Sequence, residues 1–297
     1  MRRNAFTLVE LLVVIVIIGM LVGITLPAVN AVRSRANKAV DAMEISQIDM
    51  ALLAFKEKFG DYPPDFADVD REVAANDVRR FIRKAWPRCQ KLPVDFQQTE
   101  LPAKYNAGTA LVFWLGGDYD ASFDGNTNRW IVQHNGFSAD PANPFDVDAD
   151  GNPLATKSTS RIRPFFKFPN DRIAGSPTVN LSFFPKTNLP TPTTGTGYVY
   201  FKPVNKSYGP QTDSSGNVIT GGKGYPSLAY GAMVDGRIGI RPWLNPESYQ
   251  IRTCGRDGVF YGDATDWGFK IGLTDAYGVP ADDMGNCWSG TMEDCEL

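Results

Sequence analysis

The sequence predicts an α+β fold in which one long N-terminal helix packs on a globular head with an antiparallel β-sheet. Three observations predict it. A 24-residue run from Phe6 to Val29 carries a single charge, Glu10. Apolar residues then recur at three- and four-residue steps as far as Phe59, the spacing of one helix face. Beyond Thr109, short stretches of β-branched and aromatic residues alternate with connectors rich in Gly, Pro and Thr, which is strand and turn chemistry.

The helix is justified first. Val29, Val32, Ala36, Ala39, Met43, Ile48, Leu52, Phe55 and Phe59 line one face as the predicted buried stripe. Arg33, Arg35, Lys38, Asp41, Glu44, Asp49, Lys56 and Glu57 occupy the others. Together the two parts predict one helix from Phe6 to about Phe59, roughly 80 Å long at 1.5 Å per residue. Pro27 bends it, and Gly60 with Pro63 and Pro64 stops it. Gly19 and Gly23 form a GxxxG step that permits close helix approach, although ordinary glycine use in an apolar helix explains the pair equally well.

The head follows. Residues 65 to about 100 read as short helices, with Val73, Val78, Phe81, Ile82 and Trp86 set among charges. Ala110–Leu115 reads as a helical turn or a buried strand. Trp130–Gln133, Val179–Phe183, Gly197–Phe201 and Ser248–Arg252 read as strands. Thr187–Gly197 and Gln211–Gly224 read as exposed connectors. About residues 65–245 lie between the helix and the last strands.

Composition narrows the function. The chain has 297 residues, 43% of them apolar and 21% charged, enough for a substantial core. Its net charge is −3 and it has no dense Lys/Arg stripe, so no nucleic-acid partner is expected. There is a single histidine, His134, and no nucleophile-elbow, phosphate-loop, zinc-protease or dinucleotide motif, so the chain is read as a non-enzyme. The disulfide candidates are Cys89, Cys254, Cys287 and Cys295. Four cysteines allow three pairings, and three of the four lie close together in the tail.

Glu10 requires an explanation. A carboxylate at the centre of a membrane span costs about 2.5–3.5 kcal/mol on the translocon scale, so it calls for a positive partner at its own depth. A cut after Ala5 would give Phe6 a free α-amine one helical turn away, on the same chain or a neighbour. An ordinary secretory signal has a shorter apolar stretch followed by a small-x-small site, and a plain signal anchor gives no role to Glu10.

Phe6-Thr-Leu-Val-Glu10 behind a short basic leader resembles the N-terminal signal of type IV pilins and type II secretion pseudopilins. The resemblance implies cleavage before Phe6 by a prepilin peptidase, methylation of the new amine, and pairing of Glu10 with the amine of an adjacent subunit. Ala5 stands where the family usually has Gly. Pro27 falls at the family's helix-kinking proline. Ala39–Pro64, with Glu44, Ile48, Leu52, Phe55, Gly60 and Pro63, resembles the helix end of major pseudopilins; against a minimal head of that family this one is larger, which implies a large insertion at about residues 65–245.

The implied organisation is a leader at 1–5, a transmembrane and assembly segment at 6–29, an amphipathic continuation at 30–59, and a periplasmic or extracellular head at 60–297. The implied location is the inner membrane, crossed once, with the head in the periplasm and a filament after assembly. The implied partners are identical or related subunits, the peptidase, an inner-membrane assembly platform and membrane lipid. A minor binding subunit, anchored by the same helix and recognising cargo or a surface, is the alternative.

Two sites read as calcium loops. Asp146, Asp148 and Asp150 alternate ahead of Gly151, which matches the first half of a Ca²⁺ loop, while position twelve is Lys157 where a bidentate Glu is needed. An acidic surface turn explains the same residues. The tail around Asp257, Asp282 and Asp283 resembles the end of calcium-binding major pseudopilins, which implies Ca²⁺ ligands there. Asp118, Asp120 and Asp124 read as a third acidic loop.

Overall fold

The computed structural model describes residues 8–68, 70–126, 129–176, 180–185, 197–203, 247–253 and 284–285. The chain divides into two compact units, residues 1–40 and 41–297. Helix α1, Leu8–Phe59, begins in the first unit and ends in the second. Glu10 sits in its first turn, and Lys56 and Lys58 in its last, each where the helix dipole favours that sign of charge. The stop is as the sequence predicts. Gly60 takes a positive φ of 80°, and its N–H donates to the Lys56 carbonyl at 2.7 Å.

In the second unit α1 buries Asp41, Ile45, Ile48, Leu52, Phe55 and Phe59, alternating steps of four and three. Within this unit the buried stripe begins at Asp41. Val29, Val32 and Met43 are 60%, 66% and 62% exposed.

Helix α2, Arg71–Ala85, is capped by the Asp70 carboxylate, which accepts from the amides of Glu72 and Val73. It buries Ala74, Ala75, Val78, Phe81 and Ile82. Arg71 ties the neighbouring loops together. Its guanidinium donates to the carbonyls of Phe66, Asp68, Leu101, Pro102 and Tyr105, which engages all three of its nitrogens. A short helix α3, Val94–Gln97, buries Phe96.

Helix α4, Ala107–Gly116, settles the segment that the sequence left between helix and strand. Asn106 and Thr109 form a reciprocal capping box at its start. Every residue of α4 except Phe113 is buried, as expected of a helix apolar on all sides. Trp114 is wholly buried and its ring meets those of Phe55, Phe66, Phe81 and Phe137.

Among the described residues the strands form three small antiparallel sheets. The first joins β1 (Asp118–Asp124), β2 (Arg129–Ser138) and β3 (Arg161–Ile162), with Phe123 opposite Trp130. The second joins β4 (Ile173–Ser176) and β5 (Asn180–Phe183). The third joins β6 (Val199–Phe201), β7 (Gln250–Thr253) and β8 (Met284–Gly285). Helix α4 packs against β2, β5 and β6, so a strand from each sheet meets this one apolar helix. The predicted strands at 130, 180, 199 and 250 are all present. Their arrangement around a second, central helix was not predicted.

Candidate functional site

The N-terminal site begins with α1. Every residue from Leu8 to Val22 is exposed, Glu10 and Gly19 included, and the large apolar side chains range from 44% exposed at Val16 to 79% at Leu8. Space for a Cβ is open at both Gly19 and Gly23. The helix backbone continues through Pro27, which lacks the N–H that would reach the Gly23 carbonyl. Ala5 and Phe6 lie outside the described residues. Among the described residues no helix is long and apolar enough to cross a membrane.

A contiguous apolar surface of this extent on a single helix marks an interaction site. An acidic residue in the first turn is a fixed charge within it. Residues 1–26 match the family model described as the prokaryotic N-terminal methylation motif. This segment is a type IV pilin-type signal. The match takes in Ala5, Phe6 and Glu10, stops just before Pro27, and leaves the head unmatched. Comparison with curated proteins and with solved structures gives no match. What the match shows is the N-terminal methylation signal itself, over 26 of the 297 residues.

Within the second unit, the last part of α1 is held to the head by a buried ionic cluster. The Glu44 carboxylate receives both terminal nitrogens of Arg172, with Nη1 to Oε1 at 2.5 Å, and the Tyr198 hydroxyl at 2.7 Å. Arg172 also donates through Nε to the Phe184 carbonyl at 2.8 Å, and its guanidinium lies 4.5 Å from the centre of the Phe183 ring. Burial, then the adjacent Glu44 carboxylate, hold the Tyr198 phenol well above its ordinary range. Further along α1, Tyr249 donates to Asp49 at 2.5 Å. At the helix end Tyr200 donates to the Pro63 carbonyl, and Lys202 reaches Asp61 and the Tyr62 carbonyl.

These anchors were missed in the sequence. Glu44 was legible as a member of the polar face and of the pseudopilin-like helix end, but not as a head anchor, and Arg172 lies 128 residues away with no local signal.

The 146–152 loop is closed by the protein's own groups. Asp146 is buried at a positive φ of 48°, pairs with Arg161, and accepts from the Ser158 amide at 3.1 Å. Asp148 accepts from the amides of Asp150 and Asn152 at 2.9 Å each. Those amide bonds, the one from Asn152 foremost, hold its carboxyl below the usual range. Asp150 is exposed. Lys157, at the twelfth position, bonds Asp118. Among the described residues no group of three or more His, Cys, Asp or Glu is placed to hold a metal ion.

Asp118, Asp120 and Asp124 do not form an acidic loop. They stand on β1, where Asp118 takes Lys157 and Arg161, Asp120 accepts from Asn135, and Asp124 caps the following turn. They have even spacing along the strand, but at roughly 3.4 Å per residue Asp124 stands about 14 Å from Asp120, and each of the three finds a different partner. Asp257, Asp282 and Asp283 lie outside the described residues, as do Cys254, Cys287 and Cys295. Among the described residues Cys89 is a free thiol, and it donates to the Lys91 carbonyl at 3.3 Å. Burial pushes its thiol pKa up.

Proposed function

We propose that the chain is a structural subunit of a type II secretion pseudopilus or type IV pilus-like filament, cleaved before Phe6 and methylated on its new amine. The observation that carries this reading is the methylation motif running directly into a helix with an exposed apolar surface from Leu8 to Val22. Bilayer lipid covers that surface before assembly, and sister helices cover it afterwards. Glu10 pairs with the methylated Phe6 amine of the preceding subunit and so sets the register of each addition. The work is mechanical rather than catalytic, and the head faces the periplasm. An assembly platform and the peptidase act as separate partners. Calcium held by Asp257, Asp282 and Asp283 belongs to this proposal through the likeness of the tail to major pseudopilins.

The test is Glu10→Ala expressed with the assembly machinery. The variant inserts into the membrane in normal amount but yields no sheared fibres. Fibres at the parental level from this variant would remove Glu10 from the mechanism.

A further inference from the structure

A cavity of about 240 Å³ lies in the head between α3, α4 and the ends of β1, β2 and β5. The filament reading gives it no role. Its floor is Val112, Phe137, Val147 and Leu181, all buried, and its mouth includes Val94, 42% exposed, and the exposed Pro153.

The volume decides what fits. An apolar cavity of roughly 150 Å³ stays dry and takes benzene, so this one accommodates a fused bicyclic ring of about the size of indole. The charges in its wall decide what does not fit. Asp95 is held by Lys104 at 2.5 Å and by the Tyr105 hydroxyl at 3.0 Å. Asp118 is held by Lys157 and Arg161. Among the described residues, none of the buried side-chain atoms left without a hydrogen bond belongs to the lining. A charged ligand would lose its hydration and gain no partner there, whereas a neutral apolar ring loses little.

We propose that this cavity binds one neutral aromatic ring, free in solution or borne on the side chain of a polypeptide. The lining is largely pre-formed, because Gly151 sits where a Cβ would run into the backbone of Leu92 and Val94. The chain therefore pays little ordering cost to admit the ring. This inference does not depend on filament assembly.

The experiment uses the full chain held in amphipol with labelled Val and Leu methyl groups, titrated with indole and, separately, with N-acetyl-tryptophanamide. Saturable shifts centred on Val112, Val147 and Leu181 are expected with indole. The same response to N-acetyl-tryptophanamide identifies a side chain as an admissible source, and a response to indole alone identifies a free small molecule. Val94→Trp fills the mouth at a partly exposed position and removes on the order of 60 Å² of apolar contact, which weakens binding about tenfold. Val112→Ala enlarges the floor and shifts preference from indole towards naphthalene. Absence of saturable shifts with both probes overturns the proposal, as does equal affinity in Val94→Trp or a response confined to the methyls of residues 8–22.

Discussion

Removing the Glu44 carboxylate should unseat the end of α1 from the head. Glu44 and Arg172 have side-chain exposures of only 12% and 8%. In Glu44→Ala the Arg172 guanidinium stays buried, keeps the Phe184 carbonyl, and loses both contacts to the carboxylate, while the Tyr198 hydroxyl loses its acceptor. Breaking a buried pair from one side costs about 3–5 kcal/mol, a large part of the roughly 5–15 kcal/mol that holds a domain together. At about 2–4 °C per kcal/mol for a domain of this size, the melting temperature should fall by roughly 6–20 °C. The double variant Glu44→Leu with Arg172→Met leaves no orphaned charge and should recover much of that loss. Thermal melts of the full chain in detergent, followed by near-ultraviolet circular dichroism, read both. A fall of less than about 2 °C in Glu44→Ala, or a double variant as unstable as the two single variants added together, would refute this account of the anchor.

The pH dependence of stability should carry two opposed contributions. Burial pushes Asp65 up to about 6 from 3.8, so its contribution is full below about pH 4 and declines as pH rises through 6. Burial pushes His134 down to about 4 from 6.5, so its contribution is full above about pH 6.5 and is lost as pH falls towards 4. Relative to the parent, Asp65→Asn should therefore gain stability between pH 4.5 and 7, and His134→Phe should lose it, as measured by denaturant melts at the two pH values; differences independent of pH would contradict both assignments. For calcium, adding Ca²⁺ back after chelation should raise the melting temperature of the parent and of Asp150→Ala equally, and the rise should vanish in Asp282→Asn with Asp283→Asn. A rise retained in that tail variant would remove the tail assignment.

Local pattern carried much of the fold. The end of α1 was legible because Gly60 and the following prolines are backbone signals, and the strands near 130, 180, 199 and 250 were legible from their residue types. Position 110–115 was ambiguous because a segment apolar on every side has no period, and only the surrounding packing makes it the helix α4. The three sheets were illegible because strand partners such as Val199 and Arg252 are far apart in sequence. Acidic spacing misled at 118–124, where the residues are a strand, and gave only half an answer at 146–152. There the partner of Asp146 is Arg161, which no loop pattern includes. The N-terminal signal was the most legible part, since its chemistry is contiguous: a basic leader, Phe6 and Glu10. The Glu44 anchor was the least legible, because its members come from α1, the turn before β4 and the start of β6.

The central claim concerns one peptide bond. Mass spectrometry of the N-terminal peptide from native membranes tests it most directly. The account predicts a peptide that begins at Phe6 and carries one methyl group on its α-amine. A peptide beginning at Met1 or Arg2 would leave Glu10 without its amine partner and contradict the account.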